Sequence, residues 1–426
     1  MTGWPRQLQF WAMTHPLRLT WTDLPLARLP MPRGEMVLHR SLTSGLCRRA
    51  GDPPGTFWGI GDRGPNIKPK DAAGRYGLDH LAPLAAFEGA KIMPLPEAGP
   101  ALARFRLIGE RIELEELLPL TAPDGTALNG LPPPELPPPE LTGAETEPVF
   151  ALDGTALPPG TRGADSEGIA ARRDGKFWVA EEYGPSLLLV RADGVAQERL
   201  VPAGSAARYA GSPIPVREGL PAIAAARKLN RGFEGLAMSP DGAVLYAAFQ
   251  SPLAHPDRAA HEAGEVVRIW ALDADDGSFR CEYAYPLDPP EAFRRDAEAG
   301  AVSKSDIKVS ELAMPDDGSL LVLERITLST HIYRVRPDAP LPAMLSDPEA
   351  RPTLEQLGRN PAVPLLAKEL VFSTDQAREV CGDLEGMIVL DGGELLLSND
   401  SDYGTEGAET QFWRVELEGA GIGQAS

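Results

Sequence analysis

The chain holds only three cysteines, Cys47, Cys281 and Cys381, far apart and odd in number. With no CxxC pair and no Cys/His cluster, neither a disulfide framework nor a zinc site is indicated, and buried free thiols are expected. Histidine is nearly as sparse. His15, His39, His80, His255, His261 and His331 show no metal spacing, and His331 opens an apolar run as a structural residue would. No GxSxG elbow, HExxH helix or phosphate-binding GxxxxGK loop occurs, so those three chemistries drop out. No apolar stretch approaches the roughly 20 residues of a membrane span. The opening MTGWPRQLQFWAMTHPLRLTW lacks a clean apolar segment and a small-residue cleavage site, so no signal peptide is visible, and Met13 is an alternative start. Basic residues are in deficit, 41 Lys+Arg against 61 Asp+Glu, for a net charge of −20. A polyanion such as nucleic acid, or an anionic membrane, is therefore a poor partner, although local basic groups can still grip a small anion.

Turn formers are plentiful. Glycine and proline number 43 each, while 43% of the 426 residues are hydrophobic. That combination predicts many short strands around a sizeable core and few long helices. Self-similarity bears this out. Four segments read DSEGIAARRDGKFWVAEEYGPSLLLV (165–190), GFEGLAMSPDGAVLYAAFQSPL (232–253), VSELAMPDDGSLLVLERI (309–326) and DLEGMIVLDGGELLLSNDSDYG (383–404). Each opens on a glutamate (Glu167, Glu234, Glu311, Glu385), passes a turn carrying Asp-Gly or Asp-Gly-Gly, and closes on polar residues after an apolar run. A weaker copy, SGLCRRAGDPPGTFWGIGDRGP (44–65), has Ser44 in place of the glutamate and closes on Asp62-Arg63.

Apolar strand, Asp-Gly turn and apolar strand spell a β-hairpin in every copy. Further strands follow at 266–272, 331–335 and 411–417, giving about four per unit, the content of a propeller blade. The fold class is therefore all-β, a single β-propeller domain over 17–417 with short helices in loop insertions, at 221–230 and 289–303. The glutamates are 67, 77 and 74 residues apart, and 123 residues separate Ser44 from Glu167. A further blade in that gap, using 105–120, predicts six blades, with five or seven also allowed. The segment 17–29 supplies a strand to close the ring against the last blade. The proline-rich stretch LPPPELPPPELTG (131–143) reads as a stiff surface loop.

In a propeller the first strand of each blade lines the axis, so a residue recurring there forms a ring. Four carboxylates converging on an axis need a cation, protons or arginines to compensate them. Oxygen donors without histidine or cysteine suit a hard ion, Ca²⁺ first and Mg²⁺ or Mn²⁺ after it. The metal candidates are Glu167, Glu234, Glu311, Glu385, Asn399 and Asp400. The same glutamates would serve equally to lock neighbouring blades by hydrogen bonds. Residues closing the hairpins lie near a channel mouth: Asp62, Arg63, Glu181, Glu182, Glu324, Arg325, Asn399, Asp400 and Asp402. Of these, Glu182, Glu324 and Asp62 are candidate catalytic groups. Arg63, Arg231 and Arg325 are candidate contacts to an anionic substrate.

EGLAMSPDG, SELAMPDDGSLLVLERI with IYRV, and LEGMIVLDGGELLLSNDSDYG together resemble the phytase-like propeller family, whose domain is described as having esterase-like activity of phytase. FWGIGDRGP (57–65) looks like that family's N-terminal element and NRGFEGLA (230–237) like its central one. The resemblance spans roughly residues 40–415. It implies hydrolysis of phosphate monoesters or other esters, with Ca²⁺ assisting. Many relatives carry an export signal, and the start of this chain departs from them. A small anionic or ester substrate and a monomeric protein are expected. Two other readings stand beside this one: a propeller lactonase or sugar-acid hydrolase holding one divalent ion, and a non-catalytic propeller that binds a ligand or protein.

Overall fold

The computed structural model describes residues 15–135 and 146–417. Five four- or five-stranded sheets stand around one axis, antiparallel except where Val216–Leu220 adds a parallel fifth strand to the second. Their innermost strands, Gly45–Cys47, Ser166–Ala171, Phe233–Met238, Lys308–Ala313 and Leu384–Val389, each touch the next, and the last touches the first. The molecule is thus a β-propeller of five blades, the lowest count that the repeat allowed. Residues 105–120, the expected source of a sixth blade, lie in the outer two strands of blade one, Ala101–Ile108 and Arg111–Pro119. The long spacing from Ser44 to Glu167 is filled by loop insertion instead, including the helix Pro69–Tyr76 and the short parallel pair Lys91–Ile92 with Val149–Phe150.

The Asp-Gly turns work as their chemistry dictates. Gly175, Gly242, Gly318 and Gly393 all take positive φ, between 60° and 82°. The aspartate before three of them accepts a backbone N–H two residues on: Asp174 from Lys176, Asp241 from Ala243 and Asp317 from Ser319. The last blade is completed by the chain's other end. Leu17–Leu19 pairs antiparallel with Phe412–Val415, and Trp21 packs edge-on against Phe105 and Phe412. Pro25–Pro30 pairs instead with Glu35–His39 in a separate hairpin. The expected helices are short: 3-10 turns at Ala222–Ala226 and Pro290–Ala292, and an α-helix at Arg294–Ala299. Leu131–Glu135 opens the proline-rich stretch with Pro132 and Pro133 buried, and 136–143 lies outside the described residues. Among the described residues no helix is long and apolar enough to cross a membrane.

Apolar side chains fill the space between blades, including the fully buried Trp58, Trp178 and Trp270. On the axis the strands meet backbone to backbone. A Cβ at Gly45 would come within 2.3 Å of the Glu167 carbonyl, and one at Gly168 within 2.1 Å of the Glu234 carbonyl. Only glycine permits that approach. A β-bulge interrupts the register beside the repeated glutamate in blades two to five. Bulges re-aim side chains.

Candidate functional site at the acidic end of the axis

Every inner strand begins at the same end of the propeller, and the loops joining second to third strands emerge there too. The sequence candidates therefore gather at one mouth, but neighbours in sequence separate. Successive residues of a strand point to opposite faces. In blade two, Glu182 enters the mouth, while Glu181 is bound inside its own blade by Ser186 Oγ (3.0 Å) and the amides of Asp165 and Gly184 (3.2 Å each). In blade four, Arg325 faces the axis and Glu324 faces blade three. The Glu324 oxygens accept from Tyr285 Oη (2.6 Å), the Asp288 amide (2.6 Å) and Lys368 Nζ (2.8 Å). Both its oxygens are thus taken up away from the axis, which leaves Glu324 outside the site.

The repeated glutamates divide in the same way. Glu311 is fully buried and accepts amides from three places: Leu46 of blade one (3.1 Å), Leu236 of blade three (3.3 Å) and its own neighbour Leu312 (2.9 Å). It is a lock across the axis. Glu385 is paired with Arg325, whose other groups hold Asp383, Ser310 Oγ and the Ile326 carbonyl. Glu234 accepts from Gln250 Nε2 (2.7 Å) through one oxygen, and the other is buried without a partner. Glu167 alone among the four joins a dense carboxylate group.

That group centres on Asp62. One oxygen from each of Asp62, Asp165 and Glu167 lies within 4.8 Å of the others, and the same holds for Asp62, Asp400 and Asp402. Asn399 belongs to neither set. Its Nδ2 donates to the carbonyls of Asp400 and Glu409 and its Oδ1 accepts from the Gln411 amide (2.7 Å), so it shapes the loop that carries Asp400. Ser41 Oγ donates to Asp400.

Crowding and burial push these acids towards neutrality. Burial first, then the Asp165 charge, hold the Asp62 carboxyl well above its usual range. Burial lifts Asp165 to about 7, against the opposing pull of Arg63. Burial and the Glu234 charge raise Glu167, and burial and the Glu385 charge raise Asp400. Glu182 is pushed up to about 7 by burial, and its Oε1 meets no hydrogen-bond partner. Neither oxygen of the fully buried Asp165 receives a hydrogen bond.

The arginines fare unequally. Arg63 is buried over the Tyr183 ring (4.8 Å) and pairs with Glu147 (2.6 Å) and Asp165 (3.2 Å). Arg63 and Arg325 are thus consumed by the protein's own acids. Arg231 is less so: Nη2 donates to the Ser305 carbonyl (3.3 Å) and Nη1 is without a partner.

Three members of the site, Asp165, Lys308 and Asp383, went unremarked in the sequence, yet a pattern marks them. An aspartate stands two before the glutamate in DSEG and DLEG (Asp165, Asp383). A cation stands three before it in blades three and four (Arg231, Lys308). Glu147, far off in an insertion, has no such signal.

Fold and mouth together define a five-bladed propeller with a carboxylate-rich axial site. The chain belongs to the phytase-like family, described as "esterase-like activity of phytase", which it matches over residues 43–403. It is similar to an uncharacterized secreted protein of Arthroderma benhamiae, 32% identical over 166 residues, covering 33% of this chain and 31% of the relative. The match thus spans about a third of that relative's length. Among solved structures it is similar to an aldose sugar dehydrogenase from Streptomyces coelicolor with PQQ bound (11% identity, 96% and 98% of the two chains, TM-score 0.35). A gluconolactonase from Xanthomonas campestris is similar at 12% identity over 74% and 68%, TM-score 0.30. Likenesses that distant carry no argument about this chain.

Proposed function

We propose that the chain is a hydrolase of phosphate monoesters or other esters, assisted by a hard divalent cation held at the Asp62 cluster. The observation that carries this reading is the pair of carboxylate triads sharing Asp62, in which the buried Asp165 oxygens accept no hydrogen bond and have only the ion pair with Arg63. Two oxygens on opposite sides of a Ca²⁺ ion stand about 4.6–5.2 Å apart at ordinary bond lengths, which fits the spread of each triad. The donors are all oxygen, so Ca²⁺ fits first and Mg²⁺ or Mn²⁺ next. Asp62, Asp165, Glu167, Asp400 and Asp402 would hold the ion. A cation bound there supplies Lewis acidity towards an ester or phosphoryl oxygen and lowers the pKa of a bound water.

The chain's own residues supply the remainder. Arg63 orients Asp165 and Glu147 and keeps part of their charge compensated. Glu182 holds a proton near neutral pH and has a free oxygen, as a general acid–base needs. Arg231 faces the mouth with an unused donor for an anionic substrate.

Hydrolysis of p-nitrophenyl phosphate, p-nitrophenyl acetate and gluconolactone, with and without Ca²⁺ after chelation, tests this reading. Ion-dependent turnover of a phosphate or carboxylate ester supports it. Turnover of the lactone alone moves the assignment to a lactonase, and no turnover of any leaves a binding propeller.

A further inference from the structure

We propose that Arg231 and Lys308 form a separate binding subsite for a tetrahedral oxyanion, a phosphoryl or sulfuryl group, on the side of the mouth facing the Asp62 cluster. The inference rests on the hydrolase reading and specifies its substrate.

The mouth is divided by charge. Its ion-holding acids come from blades five, one and two: Asp400 and Asp402, Asp62, then Asp165 and Glu167. Blades three and four contribute a cation at the matching place, Arg231 three residues before Glu234 and Lys308 three before Glu311. Both lie where the chain enters the inner strand of its blade, Arg231 two residues before Phe233–Met238 and Lys308 as the first residue of Lys308–Ala313.

These two cations differ from Arg63 and Arg325 in forming no ion pair. Arg63 is ion-paired with Asp62, Glu147 and Asp165, and Arg325 with Asp383 and Glu385. Among the described residues the Lys308 ammonium makes neither a hydrogen bond nor an ion pair, and Arg231 Nη1 is buried with no partner. The two positive charges repel each other; Glu182 and Glu234 offset Arg231, and Glu385 and Glu234 offset Lys308, through space, and the second oxygen of Glu234 is likewise unpartnered. Burial and the charges of Arg325 and Arg231 lower Lys308 to about 8, so it stays largely charged at neutral pH. Polar groups that converge without bonding one another leave room for something between them. An oxyanion with several acceptors satisfies a guanidinium fork and an ammonium together, which a neutral ester or lactone cannot.

The test is binding of inorganic phosphate by calorimetry in the presence of CaCl2. It compares wild type with Lys308→Met, Arg231→Met, Lys308→Arg and, as a control at the opposite end of the blade, Lys176→Met. Metal content and melting temperature are measured on the same samples. The subsite predicts that Lys308→Met and Arg231→Met weaken phosphate binding about ten- to a hundred-fold, as loss of a charge-assisted hydrogen bond does. Lys308→Arg retains binding, and Lys176→Met leaves it unchanged. Wild-type binding that survives both Met substitutions, or no wild-type binding, overturns the subsite. Phosphate binding that needs Lys308 in a protein holding no metal keeps the subsite and defeats the metal-assisted reading. Bound metal with phosphate binding indifferent to Lys308 does the reverse.

Discussion

The Glu311 carboxylate of blade four accepts the Leu46 amide of blade one at 3.1 Å, reaching across the axis to a blade that is not its neighbour in the ring. Its other oxygen takes the Leu236 amide of blade three at 3.3 Å. One side chain thus ties three blades. Replacing Glu311 with Ala strands two inter-blade amides in a buried place and is expected to cost roughly 2–4 kcal/mol. Glu311→Gln keeps an acceptor and costs less. Denaturant unfolding measures both, and metal content is expected to be unchanged in both.

Gly168 tests the tightness of the ring. A Cβ there would sit 2.1 Å from the Glu234 carbonyl oxygen, which is backbone and cannot swing aside. Gly168→Ala is expected to destabilise by roughly 1–3 kcal/mol or more, the range of overpacked cores. A thermal melt equal to wild type would contradict backbone contact between blades two and three.

Glu182 gives the metal-free protein a pH dependence whose sign is fixed. Burial holds its folded pKa at about 7, above the unfolded value, so the native state binds more protons between roughly pH 4.5 and 7. Stability then falls as pH rises through that window, by linkage. The chelated protein is expected to melt higher at pH 5.5 than at pH 8, and Glu182→Gln is expected to flatten the difference.

Asp165 and Glu324 are both buried acids, yet opposite outcomes are expected. Asp165→Asn removes a buried charge that burial and the charges of Glu182 and Glu147 disfavour more than Arg63 favours it, so the chelated protein gains stability while ion-dependent turnover falls at least ten-fold. Glu324→Gln disrupts the bonds from Tyr285, Asp288 and Lys368, so stability drops while turnover persists. Melting curves and turnover of the two variants side by side distinguish them.

The fold was legible because Asp-Gly hairpins recur with the glutamate at one place, and recurrence survives loop insertion. The blade count was not fixed, because an insertion of over 30 residues looks like a missing blade when only spacing is read. The site was half legible. Asp62, Glu167, Glu182 and Asp400 were found as hairpin openers and closers. Which of two adjacent acids turns inward, Glu181 or Glu182, depends on strand register, which the bulges shift. Whether an arginine is free depends on partners from distant insertions, as Glu147 shows for Arg63.

The most direct measurement is calorimetric titration of Ca²⁺ into EGTA-stripped wild type and Asp62→Asn. Saturable binding by the wild type, lost or weakened at least ten-fold in Asp62→Asn while its fold persists by circular dichroism, is the predicted result, since Asp62 belongs to both triads. No binding by the wild type, or equal binding by the variant, would contradict a cation site on the propeller axis.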